Sequence, residues 1–277
     1  MISAITVSDI VSMMLVLFFA TPLVLVGVVV LVFRVVVVVS ELVEPEAEAE
    51  TSDEVVLESD LSNTLLSVDF TLVSSYLIGL SNLESLVLKS GNLSGSLIVV
   101  AKSQCGVSLT SIDLAENTIS RPVSDILSFG VFSNLTSLNL SKNSIDPLGN
   151  ELVKGVTFSL QGNRLAGSIP ELDFKNLSYL DLSANNFSTV FPSFKDCSNL
   201  QRLDLSSNKF YGDIGASLSL CGKLSFLNLT NNKFVGLVPK LPSESLQFLY
   251  LQGNDFQGVL PNQVADLCKT VVKLDLS

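Results

Sequence analysis

One phrase recurs along this chain and decides what it can fold into. The phrase is Leu-x-x-Leu-x-Leu-x-x-Asn-x-Leu. It reads LESLVLKSGNL from Leu83, LTSIDLAENTI from Leu109 and LTSLNLSKNSI from Leu135. With Gly155 in the first slot it continues as GVTFSLQGNRL, then as LSYLDLSANNF from Leu177 and LQRLDLSSNKF from Leu200. LSFLNLTNNKF from Leu224 and LQFLYLQGNDF from Leu246 follow, and VVKLDLS from Val271 opens a ninth unit. A degenerate unit, LLSVDF, is read at Leu65–Phe70. Successive starts lie 20 to 26 residues apart. Self-similarity at such a period marks a stack of small units, none of which can bury its own apolar face alone.

The phrase has a direct physical reading. The x-Leu-x-Leu-x core alternates with period two, so its leucines point one way and its x residues the other. Stacked units pair these short strands about 4.8 Å apart in a parallel sheet. The chain must then turn, and the amides of Asn117, Asn143, Asn163, Asn185, Asn208, Asn232 and Asn254 are placed to satisfy backbone groups of the turn. Gly91 interrupts this column, which predicts a looser first unit. Two residues after the Asn, Phe187, Phe210, Phe234 and Phe256 recur and are expected to stack inside the coil. The predicted fold is an α/β solenoid: a right-handed leucine-rich-repeat superhelix, its parallel sheet on the concave face, preceded by one hydrophobic, transmembrane-like helix.

The front of the chain is different. Residues 1–9 read as a tail and 10–39 as a hydrophobic membrane segment. Ile10–Phe33 alone would span about 36 Å as a helix, enough for a bilayer core of roughly 30 Å. It is too long for an ordinary signal-peptide core, and no Lys or Arg precedes Arg34. An unusual signal peptide or a misassigned gene start are the alternatives. Residues 40–60 hold nine acids and no base and read as a solvated linker; 61–277 form the repeat domain.

Charge and composition then exclude whole classes. Of a net charge of −11, residues 61–277 carry only −2, with 17 acids against 15 bases. That is not the basic stripe of a nucleic-acid binder. The chain has no His, so neither a Ser-His-Asp site nor a His-ligated metal site can be built. No cofactor and no catalytic residue is predicted. The Asp column at Asp113, Asp181, Asp204 and Asp275 belongs to the recurring LDLS phrase and is not read as a metal site.

Three sets of residues bear on function. Asn92, Asn134, Asn139, Asn176, Asn186 and Asn228 begin Asn-x-Ser/Thr sequons, which argue for the secretory pathway, although an Asn- and Ser-rich repeat also makes such triplets by accident. Asn139 and Asn228 fall mid-strand, where a glycan would block the sheet face. Cys197 and Cys221 each sit three residues before the first Leu of consecutive units. They read either as a disulfide between adjacent coils or as two small buried hydrophobes. Cys268 occupies the same slot and Cys105 lies one residue off it. Tyr179, Arg202, Phe226, Phe248 and Tyr250 occupy x positions of the strands. They read as a partner-contact surface, or as rings that merely cover the sheet.

Several units end on Gly-x-Ile-Pro or a variant: Gly167–Pro170, Gly236–Pro239 and Gly258–Pro261. With these tails, the stretches SNLESLVLKSGNLSGSL, LDFKNLSYLDLSANNFSTVFPSFKDCSNLQRLDLSSNKFYGDI and KLPSESLQFLYLQGNDFQGVLPNQVADLCKTVVKLDLS resemble the plant brassinosteroid receptor kinases. The likeness is to the amino-terminal part of the ectodomain and runs from about residue 61 to 277. It implies a receptor-like protein, repeats outside the cell at the plasma membrane or in the secretory pathway, that binds a protein or peptide ligand or a co-receptor. Family members begin with a signal peptide and a disulfide-bonded cap, where this chain has its apolar and acidic segments. The 20-residue step after Leu135 resembles two repeats fused with about one lost. The hormone-binding island and the kinase domain are not matched, so steroid binding and phosphotransfer are not implied. Arg34 alone would place the repeats in the cytosol by the positive-inside tendency; the sequons and the resemblance outweigh it. The alternative is a gene fragment without activity, or a generic repeat scaffold.

Overall fold

A computed structural model describes residues 57–63, 65–71, 83–96, 109–120, 134–146, 157–169, 176–192, 194, 196–214, 218, 220–238, 241, 244–258 and 270–277. In chain order the strands are β1 (Leu57–Asp60), β2 (Leu83–Val87), β3 (Ser111–Asp113), β4 (Ser137–Asn139) and β5 (Thr157–Ser159). Next come β6 (Ala166–Gly167), β7 (Tyr179–Asp181), β8 (Asn186–Phe187), β9 (Arg202–Asp204) and β10 (Tyr211–Gly212). The last are β11 (Phe226–Asn228), β12 (Lys233–Gly236), β13 (Phe248–Tyr250), β14 (Asp255–Phe256) and β15 (Lys273–Asp275).

Ten of these strands form one parallel sheet in the order β1-β2-β3-β4-β5-β7-β9-β11-β13-β15, one strand per coil. From β3 onward, like positions of the repeat phrase pair without slippage. Leu138 lies beside Phe158, Leu180 beside Leu203, and Leu227 beside Leu249. The 20-residue step is no exception, because β4 pairs β5 directly with Ser137 opposite Thr157. Smaller sheets, β6-β8 and β10-β12-β14, run beside the Gly-x-Ile-Pro tails.

The leucines of the phrase form the core. Leu114, Leu140, Leu160, Leu182, Leu205 and Leu229 are fully enclosed, as are Phe187, Phe210 and Phe234. The phenyl rings stack: Phe187–Phe210 at 5.7 Å, Phe210–Phe234 at 6.0 Å and Phe234–Phe256 at 6.3 Å, each pair within 20° of parallel. Leu93, Ile119, Ile145 and Leu165 hold the same slot in earlier coils.

Each ladder asparagine closes its turn as its position suggests. Asn208 donates from Nδ2 to the carbonyls of Leu182 (2.9 Å), Leu205 (3.2 Å) and Ser206 (3.1 Å), while its Oδ1 accepts the N–H of Phe187. Asn117, Asn143, Asn163, Asn185, Asn232 and Asn254 repeat the pattern with the equivalent leucines. The residue before each ladder Asn is left-handed: Glu116, Lys142, Ala184, Ser207 and Asn231 have φ between 52° and 57°, and Gly162 and Gly253 lie near them.

Two features differ from the sequence reading. Among the described residues the sheet begins at Leu57, inside the stretch read as linker. The phrase of that coil is DLSN at Asp60–Asn63, whose Asp60 accepts the N–H of Ser62 as later Asp residues do. LLSVDF is therefore not the strand; Leu66, Val68 and Phe70 fill the rest of the coil. The predicted helix over 10–39 lies outside the described residues, and among the described residues no helix is long and apolar enough to cross a membrane.

Candidate functional site

The x positions of the ten-stranded sheet make one continuous face, and its chemistry changes along the stack. In the first slot of β2 to β5 the residues are Ser85, Ser111, Ser137 and Thr157. In β7 to β15 they are Tyr179, Arg202, Phe226, Phe248 and Lys273. Small hydroxyl side chains thus give way, at one coil boundary, to large rings and cations.

The large side chains lean on one another. The Arg202 guanidinium lies 3.4 Å from the Phe226 ring centroid and 5.6 Å from that of Tyr179. Phe226 meets Phe248 at 6.1 Å and Tyr250 at 5.6 Å, and the Lys273 ammonium sits 5.2 Å from the Tyr250 ring. The structure brings all five predicted contact residues into this half-buried wall. Lys273, in the same column, joins it although the sequence reading did not include it. The planar guanidinium stacks well on rings because it is weakly hydrated, and such contacts are worth about 0.5–2 kcal/mol each. Arg202 Nε is buried without an acceptor among the described residues.

In the second x slot stand Asp113, Asn139, Ser159, Asp181, Asp204, Asn228, Tyr250 and Asp275. Each Asp or Asn accepts the N–H two residues on, for example Ala115 to Asp113 at 2.9 Å and Thr230 to Asn228 at 3.1 Å. This is the structural reason for the LDLS phrase. Asn139 Nδ2 also donates to Asp113 (3.1 Å), and Asn228 Nδ2 to Asp204 (3.0 Å). Burial raises the Asp181 carboxyl above its ordinary value, against the lowering effect of the Ser183 hydrogen bonds, and the neighbouring Asp204 charge adds to the rise. Tyr179 is raised as well, chiefly by burial and then by the Asp181 charge. Among the described residues no group of His, Cys, Asp and Glu is arranged to hold a metal ion.

Where the small residues meet the wall, the face sinks into a trough of about 380 Å³ between β3 and β7. Serines and threonines gave no sequence signal for it; only the loss of ring volume in one column could have shown it.

The remaining predicted residues lie away from this face or are engaged within it. Asn92, Asn134, Asn176 and Asn186 are exposed, whereas Asn139 and Asn228 are half-buried mid-strand with both ends of their amides in use. Cys197 and Cys221 are joined by a disulfide, with Cα atoms 4.9 Å apart, and both are buried. Cys105 and Cys268 lie outside the described residues.

Comparison with known proteins agrees with this geometry. Models of leucine-rich repeats match residues 133–151, 175–234 and 245–267. The chain is 74% identical over 250 residues to the systemin receptor SR160 of Solanum peruvianum, and 73% identical to the brassinosteroid LRR receptor kinase of Solanum lycopersicum. Each match covers 79% of this chain and 21% of the relative, so the chain spans about a fifth of their length. Among solved structures, a plant peptide hormone receptor, RGFR1 in complex with RGF2, superposes with a TM-score of 0.58 at 27% identity, over 79% of this chain and 39% of that one. The coils, the asparagine ladder and these likenesses together show a leucine-rich-repeat chain that is similar, in its repeats, to the plant receptor kinases of the brassinosteroid-receptor type.

Proposed function

We propose that the protein is a receptor-like repeat protein that acts at the cell surface by binding a protein or peptide through the open face of its sheet, in the manner of a truncated brassinosteroid-receptor ectodomain. The observation that carries this reading is the wall of Tyr179, Arg202, Phe226, Phe248 and Tyr250. It presents aromatic rings and a cation on consecutive strands instead of burying them, the composition of an interface hot spot. The likeness to a peptide hormone receptor in complex supports a peptide or protein partner. In this reading residues 10–39 anchor the chain in the membrane, the acidic stretch before β1 links, and the repeats from β1 onward stand outside the cell. Glycans occupy the exposed Asn92, Asn134, Asn176 and Asn186 and leave the sheet face bare. Steroid hormone is not assigned to these repeats. Such a protein would share partners with the full receptor and compete for them.

The test is expression in plant cells that carry the full receptor, reading gel mobility before and after glycosidase together with the hormone response. A mobility shift and a dose-dependent damping of the response, lost in the Phe226→Ala/Phe248→Ala double variant, are expected. Equal expression with no damping would overturn the reading.

A further inference from the structure

The trough beside the aromatic wall has a chemistry of its own. Its floor is made of Ser111, Ser137, Thr157 and Ser159, and Asp113 and Asp181 stand at its two ends. No hydrogen bond within the described residues engages the hydroxyls of those four floor residues. They are free to pair with a main chain laid across them. The ion pairs of the described residues join Lys89 and Lys142 to Glu116, away from the trough, so neither Asp113 nor Asp181 has a cationic partner among the described residues. Both carboxylates are fixed by N–H donors two residues on, at 2.9 and 3.0 Å, and so are held in place ready for an incoming charge.

Size and charge together select the occupant. Side chains as small as Ser and Thr leave room for a backbone where the next coils raise rings. Two carboxylates that hold neutral donors but no cation among the described residues call for cations. Asp113 and Asp181 are three strand steps apart, about 14 Å, which an extended chain covers in about four residues. Phe226 lies two further steps along, about 10 Å or three residues.

We propose that this trough docks an extended basic segment of a partner protein, with lysine or arginine side chains over Asp113 and Asp181 and a following apolar side chain against Phe226 and Phe248. The proposal rests on the reading of the sheet face as a binding surface and adds the chemistry of what is bound.

The test uses the full chain and a fluorescent Gly/Ser peptide carrying two lysines about four residues apart and a leucine about three residues beyond. Its counterpart has glutamates for the lysines. The variant is Asp113→Asn with Asp181→Asn. Asparagine already fills this column at Asn139 and Asn228 with the same N–H accepted, so the coils are kept; circular dichroism checks this. Anisotropy should show binding of the lysine peptide that weakens in salt, no binding of the glutamate peptide, and a loss of about tenfold in the variant. Equal binding of both peptides, or an unchanged variant, overturns the basic occupant. If the lysine peptide does not bind while the chain still damps the hormone response, the basic occupant alone is overturned. If damping is absent too, the binding-surface reading falls with it.

Discussion

Each ladder asparagine fills a slot that no other side chain fits. Asn208 needs two N–H donors facing three carbonyls and one oxygen facing an N–H, all in a buried turn. Replacing it with Ala strands those groups, and leaving buried polar groups unpaired costs about 1–3 kcal/mol each. Asn208→Ala should therefore lower unfolding stability by about 3 kcal/mol in denaturant titrations. Asn208→Asp should lower it more, since an anion would face carbonyl oxygens. Two carboxyls act oppositely with pH. Lys142 and Ser90 hydrogen bonds hold Glu116 down at about 2, from an ordinary 4.5. It sheds its proton earlier in the folded chain than in the unfolded one. Its contribution is full above about 4.5 and is lost as pH falls toward 2. Thermal melts of Glu116→Gln should show a shallower acid limb in that window. Asp181 is raised, so the folded chain keeps its proton longer, and stability falls as pH climbs from 3.8 through its folded value. Asp181→Asn should melt higher than wild type at neutral pH. The sequence displayed the ladder because its amide column is chemically demanding. It hid the left-handed column just before it, because Glu116, Lys142 and Ala184 do not announce a positive φ.

At the scale of elements, the leucine frame was readable because a three-residue strand repeated every coil leaves one face buried and the other open. The recurring phenylalanines were readable for the same reason. Phe187, Phe210, Phe234 and Phe256 stack at 5.7 to 6.3 Å, each ring wedged between its neighbours'. Phe210→Ala removes the middle of the row and opens a cavity with rings on both sides. A cost of about 4 kcal/mol is expected, against under about 1.5 kcal/mol for Phe210→Leu, which keeps most of the volume and restores the residue type of Leu165 in the same slot. Calorimetry on the two variants decides between a packing role and a merely apolar one. The first coil was misread for a matching reason. LLSVDF alternates like a strand, but DLSN at Asp60–Asn63 carries the turn chemistry, and turn chemistry set the register.

At the scale of the whole molecule, each coil meets only the coils before and after it, so stability behaves as a sum along a line. The coil of β9 lies between those of β7 and β11, with Leu203, Leu205 and Phe210 fully buried and Cys197–Cys221 tying it to the next. Among the described residues, hydrogen exchange should therefore be slowest at Leu203, Leu205, Leu227 and Leu229, in coils whose strands are paired on both sides. The same linearity makes damage local. In Phe210→Ala, protection should drop in the coils of β7, β9 and β11, while Ile112 and Leu138, four and three strand steps from β9, keep theirs. Mass-spectrometric exchange resolves these segments separately. A uniform loss from β3 to β13 would mean that the stack opens as one unit. A loss confined to the neighbours would mean that the trough at β3–β7 and the wall at β7–β13 can be altered one at a time, which is what separate tests of their two chemistries require.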